Sequence, residues 1–244
     1  MSFTYRHADL VIANSEFTHG ELIKLGVKDS RIIKIYPGVD IERFRPDLPF
    51  IDLRNELGMK SGQQLILSVG RLSRRKGFDQ VIKSLPQLIQ LGLDVKYALI
   101  GIGEDDKYLE KLAEEYGVAD RVHFLGHVEA RDLPRWYKAC DIFAMPNREI
   151  DGDTEGFGLV FLEAAACGKP SLAGMAGGTG SAVLDGETGL RVDGGSLNQV
   201  TKGLKKLLGD DVVREQLGKR AMDRARVEFS WEAVANRTIL ELGV

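Results

Sequence analysis

Two glutamates stand in the stretch GDTEGFGLVFLEAAACGKP, residues 152–170, where most neighbouring side chains are apolar. Glu155 precedes the apolar run and Glu163 lies inside it, with seven residues between them. Gly156 and Gly158 open the run, and Gly168 followed by Pro170 closes it, which predicts a helix from about Phe157 to Cys167. Small residues line the mouth of that helix. Its free backbone N–H groups and the positive end of its dipole favour a phosphate, and glycine lets the backbone approach one closely. Glu163 sits roughly 7.5 Å further along the axis, at 1.5 Å per residue. A carboxylate on an otherwise apolar helix needs a hydrogen-bonding partner. A ribose diol beside a helix-bound diphosphate supplies two donors at that reach. A buried arginine, or a loop that the carboxylate caps, would satisfy it equally.

A second group lies in SVGRLSRRKGFDQVI, residues 68–82. An apolar run ends at Gly70 and meets a turn carrying Arg71, Arg74, Arg75 and Lys76, then a helical pattern. Ligands of open α/β sheets gather at the carboxyl ends of strands. There arginine offers a forked grip on a diphosphate and lysine a point charge. Alone, the turn reads equally as a solvated basic loop; with the glycine-opened helix it points to anion binding.

Other motifs lose force on inspection. GIGEDD (101–106) begins as a dinucleotide fingerprint but has Asp106 where the third glycine belongs. CGKP lacks the glycine spacing and the hydroxyl residue of a phosphate loop. His123 and His127 lie four apart on a strand-and-turn stretch rather than on a helix, and no metal site is expected. GMAGGTG (174–180) follows an expected strand and either admits a sugar closely or simply turns the chain.

These residues need a scaffold, and the pattern supplies an α/β one. Short runs rich in β-formers, at 10–14, 31–36, 65–70, 95–101, 121–126 and 141–146, alternate with longer amphipathic ones. Their nearly continuous apolar character predicts parallel strands covered on both faces and joined by crossover helices. Residues 196–228 read as helical with a solvated basic face, and a last helix begins at a Ser230 cap. Residues 36–50 hold three of the seven prolines and read as a linker. It separates a β-α-β piece, about 1–46, too small to close its own core, from the main domain.

Composition sets the limits. The 244 residues are 43% hydrophobic and 28% charged with net charge −3, an ordinary globular balance with no basic field for nucleic acid. Cys140 and Cys167 fit neither a zinc set nor a disulfide framework and read as reduced thiols of a cytoplasmic protein. No run approaches the ~20 apolar residues of a membrane span, and the first residues lack a signal-peptide pattern.

Together these features resemble the donor-binding half of family 4 GT-B glycosyltransferases, retaining enzymes that use nucleotide sugars. They are similar in particular to the phosphatidylinositol-mannoside mannosyltransferase branch. The resemblance runs from HADLVIANSEFT to FSWEAVANRT and rests on VGRLSRRKGFD, VHFLGHV, MPNREIDGDTEGFGLVFLEAAACGKP and LDGETGL. It implies a Rossmann-like sheet over 47–228, a remnant of the acceptor domain over 1–46 and a crossover helix over 229–244. It implies that Arg71 and Lys76 hold the diphosphate and stabilise its growing charge, while Glu155 faces the donor sugar. Gly70, Phe157, Gly158 and Leu159 would line the phosphates and sugar, Val128 would meet the base through main chain, and Glu163 would bind the ribose. The donor would be a GDP-sugar, alternatively a UDP-sugar, with no cofactor or metal. The acceptor would be a lipid or glycan, met at the inner membrane surface without a transmembrane segment, and exposed remnant surface would allow a homo-oligomer.

Two departures stand out. Only the last strand-helix-strand of the acceptor domain has a counterpart, so the alternative is a non-catalytic nucleotide-sugar module completed by a second chain. AGGTGSAV replaces the usual glycine-glycine-x-proline-glutamate pattern, with Gly180 and Ser181 at the last two places. From another class, a nicotinamide-dependent oxidoreductase lacks its glycine fingerprint.

Overall fold

The structure, a computed structural model, describes residues 2–243; Met1 and Val244, outer bounds of the expected segments, lie outside it. It opens with α1 (Ser2–His7), β1 (Val11–Ala13), α2 (Glu16–Lys24) and β2 (Ile32–Lys34). Ser15 starts α2 by accepting the Thr18 N–H at 3.0 Å, as its type predicts at an N-cap. The two strands pair in parallel, Val11 opposite Ile32 and Ala13 opposite Lys34, and α2 supplies the crossover. Alternation along β1 buries Val11 and Ala13 with Leu22 and Val27 and turns Ile12 outward, 54% exposed.

The main sheet follows α3 (Ile51–Glu56) and begins with β3 (Gln64–Val69), α4 (Phe78–Gln90), β4 (Val95–Ile100), α5 (Asp106–Glu115) and β5 (Val122–Phe124). It continues with α6 (Leu133–Ala139), β6 (Ile142–Met145), α7 (Leu159–Ala166), β7 (Ser171–Gly174), α8 (Thr179–Ala182) and β8 (Gly189–Val192). Helices α9 (Leu197–Gly209), α10 (Asp211–Glu228) and α11 (Trp231–Leu242) complete the chain. All six strands are parallel in the order β5-β4-β3-β6-β7-β8, the expected α/β sheet flanked by helices. Leu65, Ile66 and Leu67 of β3 are fully buried, as a central strand covered on both faces requires.

Strand order reverses between β3 and β6. Chains leaving their carboxyl ends diverge there and open a crevice where ligands of open α/β sheets bind. The basic turn follows β3 and the segment bearing Glu155 follows β6, so the topology brings both motifs to one place.

Several expectations need revision. Helix α7 begins at Leu159, not Phe157, because Gly158 takes a left-handed conformation (φ 91°) that ends the irregular approach. Helices α1 and α3, and strand β8, were not foreseen. The proline-rich segment 36–50 is no free tether: Val39 and Phe44 are buried in the main core, and the Val39 N–H donates to the Phe229 carbonyl at 2.7 Å. The basic face of α10 is not wholly solvated, since Arg224 donates to the Ser181 carbonyl at 3.0 Å and packs over Phe229. Ser230 caps α11 as expected, accepting from the Ala233 N–H at 3.2 Å, and the helix leaves Leu240 81% exposed. Among the described residues, no helix is long and apolar enough to cross a membrane.

Candidate functional site

One wall of the crevice starts at Gly70, immediately beyond β3, where an added Cβ would stand 3.8 Å from Lys76 Cε. A tight turn over Arg74–Lys76 folds Lys76 back toward the strand end. Lys76 Nζ lies 2.5 Å from Glu155 Oε2, and Arg75 Nη1 reaches the same oxygen at 3.2 Å. Arg75 Nε also pairs with Asp153 at 2.9 Å. The Lys76 and Glu155 side chains are only 12% and 14% exposed, so this pair is shielded far more than a surface ion pair. Arg74 turns away, stacked on Tyr108 at 3.4 Å and paired with Asp105. Arg71 lines a concavity of about 270 Å³ with Ser73, Arg75, Glu104 and Asp153. Among the described residues Arg71 has no ion-pair partner.

The other wall is the mouth of α7. Phe157 is buried against the rings of Tyr36 and Phe229, at 5.9 and 6.1 Å between centroids, so its side chain anchors the loop. A Cβ at Gly158 would stand 2.6 Å from the Phe161 ring, and the φ there already disfavours any other residue. No side chain caps this helix; the Phe161 N–H donates to the Gly158 carbonyl at 3.0 Å, and the Leu159 and Val160 amides are left for a ligand. Leu159 and Glu163, one turn apart, line a second concavity of about 190 Å³ with Asp40, Arg43, Phe44 and Trp231.

Glu163 has the partner that its apolar helix demands. The Tyr137 hydroxyl donates to Oε2 at 2.6 Å, so neither the arginine nor the loop considered from sequence fills that place. Burial pushes the Glu163 carboxyl above its ordinary range, while the Tyr137 hydrogen bond and the Arg43 charge pull it back. Tyr137, itself fully buried, is pushed well above the usual phenol range by burial and by Glu163. Arg43 donates to the Ala130 carbonyl, tying the wall of this concavity to the loop that carries Val128. Val128 is partly buried against the main core.

Gly70, Lys76, Glu155 and Gly158 thus form one continuous patch: Glu155 Cγ lies 3.6 Å from the place of a Gly158 Cβ, and its carboxylate reaches Arg75. Arg71 lies beyond one end of it and Leu159 with Glu163 beyond the other, in distinct concavities. Sequence reasoning gave no sign of Tyr137 as the Glu163 partner, of Arg75 and Asp153 at Glu155, or of Arg43. Among the described residues no group of three or more His, Cys, Asp or Glu is placed to hold a metal ion. Both thiols are unpaired and buried, pushed up to about 12 by burial.

The six-stranded parallel sheet flanked by helices is the fold of GT-B glycosyltransferases. Residues 50–224 match the model of glycosyl transferases group 1, and residues 1–43 that of glycosyltransferase family 4. The chain belongs to this glycosyltransferase family. It is 38% identical over 204 residues to a GDP-mannose-dependent monoacylated alpha-(1-6)-phosphatidylinositol monomannoside mannosyltransferase of Corynebacterium glutamicum, covering 82% of this chain and 53% of that one. A D-inositol 3-phosphate glycosyltransferase of the same species is 36% identical over 239 residues, covering 94% and 56%. The crystal structure of Anabaena Alr3699/HepE in complex with UDP-glucose superposes with a TM-score of 0.87 at 29% identity, over 98% of this chain and 65% of that one. The chain spans just over half the length of these two curated relatives.

Proposed function

We propose that this chain is the donor-binding half of a retaining hexosyltransferase that moves mannose from GDP-mannose to an inositol-phosphate-bearing lipid or glycan. One observation carries the reading: the Lys76–Glu155 pair adjoins the mouth of α7 at Gly158, and Glu163, held by Tyr137, stands further along that same helix. In this reading the α7 amides, Lys76 and Arg71 take the diphosphate, and the Val128 backbone meets the base. Tyr137 already occupies Glu163 Oε2, which leaves Oε1 for the ribose hydroxyls. A UDP-sugar is the alternative donor, given the neighbour holding UDP-glucose.

The chemistry follows from charge. As the bond from the sugar C1 to the diphosphate oxygen breaks, negative charge grows on that oxygen. Lys76 and Arg71 stabilise it more than they stabilise the bound donor. The same oxygen takes the proton of the incoming hydroxyl on the face it leaves, so configuration is retained and no further base is required. Glu155, released from Lys76, orients the sugar.

The outward-facing Ile12 favours a second reading, in which another chain supplies the acceptor surface and this one only binds the donor. Two measurements test the proposal. GDP at a hundred times its dissociation constant should stabilise the chain by about 2.7 kcal/mol in thermal unfolding. No stabilisation by any nucleoside diphosphate overturns the donor site. Release of labelled mannose from GDP-mannose, to a phosphoinositol lipid or to water, separates the catalytic reading from the second.

A further inference from the structure

Arg191, in β8, carries a charge that no carboxylate neutralises within ion-pair distance among the described residues. Its Nε is buried without a hydrogen-bond partner, and its Nη2 donates to the Met175 carbonyl at 3.2 Å. The guanidinium lies against residue 180: a Cβ added at Gly180 would stand 2.9 Å from Nη1 and 3.1 Å from Nη2. With Glu16, Phe17, Gly177, Gly178, Gly180 and Ser181 it lines a cleft of about 480 Å³. The one carboxylate there, on Glu16, is held by Lys34 at 2.7 Å and by the Tyr36 hydroxyl at 3.1 Å. Asp185 meets Arg191 only at its backbone N–H.

This accounts for the departure in AGGTGSAV. A proline at position 180 would collide with the guanidinium, and a glutamate at 181 would bring a counter-charge into the same cleft. Gly180 makes room and Ser181 leaves the charge open. The cleft also adjoins the donor site, since the Gly178 N–H donates to the Glu155 carbonyl at 2.7 Å. Gly177 and Gly178 let this loop close on that site: a Cβ at the first would stand 2.1 Å from the Glu155 carbonyl oxygen, and one at the second 1.9 Å from that of Gly156.

We infer that this cleft is a phosphate subsite centred on Arg191, and that the phosphate it takes belongs to the acceptor. The inference rests on the donor-site reading above, whose acceptor class carries a phosphate. It places that phosphate one loop away from Glu155, so that the acceptor is gripped beside the donor sugar.

The test is calorimetric titration of the full chain, saturated with GDP, with myo-inositol 1-phosphate, inorganic phosphate and inositol. Inositol phosphate should bind, inorganic phosphate more weakly, and inositol not at all. Arg191→Leu should weaken inositol phosphate by about tenfold or more, as loss of a charged hydrogen bond does, with GDP affinity unchanged. Gly180→Ala, which displaces the guanidinium and keeps its charge, should weaken it severalfold and carries the test if Arg191→Leu misfolds. Affinity for inositol phosphate unchanged from the native chain in the Arg191 and Gly180 variants, or displacement of inositol phosphate by GDP, overturns the subsite. Inorganic phosphate binding as tightly as inositol phosphate overturns the acceptor as its source. If GDP itself fails to bind, the donor reading falls, while the same titration without GDP still reads Arg191.

Discussion

Replacing Glu163 with alanine tests the ribose assignment through a ligand as well as a residue. Oε2 is occupied by the Tyr137 hydroxyl at 2.6 Å, so in the proposed site Oε1 is the atom left for the two ribose hydroxyls. Hydrogen bonds to a charged group contribute about 1.5–3 kcal/mol each. Two at the lower value total about 3 kcal/mol, or roughly a hundredfold in affinity. Burial raises the Glu163 carboxyl, so ionising it offsets part of this, and a loss of up to about a hundredfold is expected. The assay is calorimetry with GDP and with 2′,3′-dideoxy-GDP. The native chain should prefer GDP by about that factor, and Glu163→Ala should bind both nucleotides alike. Alanine also orphans the buried Tyr137 hydroxyl at a cost of about 1–3 kcal/mol, so Glu163→Gln, which keeps an acceptor there, controls for folding. If Glu163→Ala retains the preference for GDP, or weakens both ligands equally, Glu163 does not hold the ribose.

Arg71→Ala should weaken GDP about tenfold while leaving guanosine unaffected, because in the proposed site the unpaired guanidinium meets the diphosphate and not the nucleoside; equal losses in calorimetry would assign it elsewhere. Glu155→Gln frees Lys76 and Arg75, so GDP should bind severalfold tighter while mannose transfer falls, and unchanged GDP affinity would refute their shared service. The raised Glu163 carboxyl also makes stability depend on pH. Between the ordinary value of 4.5 and its raised value, the folded chain holds a proton that the unfolded chain has released. Stability from this group is therefore present in acid and lost as pH rises through that window. Urea unfolding of the native chain and Glu163→Gln should diverge toward neutral pH; parallel curves would show that Glu163 titrates normally.

Strands β3, β4, β5 and β6 were legible because each is a dense apolar run, and their burial in a parallel sheet is what such runs encode. Strand β8 begins in the last two residues of LDGETGL: Gly189 and Arg191 weaken any local strand signal, and only pairing with β7 makes it extended. Helix α3 follows the proline-rich segment without a side-chain N-cap, so nothing marked its start. At the site, residue types and spacing exposed Glu155, Gly158, Glu163 and the basic turn. Their partners were not legible, since Tyr137 lies 26 residues from Glu163 and Lys76 lies 79 from Glu155. Spacing within a motif reports a helix face or a turn; contacts across the sheet depend on strand order.

In the proposed donor site, Glu155 would bear on how spent nucleotide departs. Its carboxylate, 2.5 Å from Lys76, is a rival that never diffuses away, at an effective concentration on the order of millimolar or above. Once the sugar had gone, that carboxylate would press to reclaim its lysine, and the leftover diphosphate would be evicted sooner. A crevice of this kind gives up some grip on its substrate and in return resists clogging by its own product.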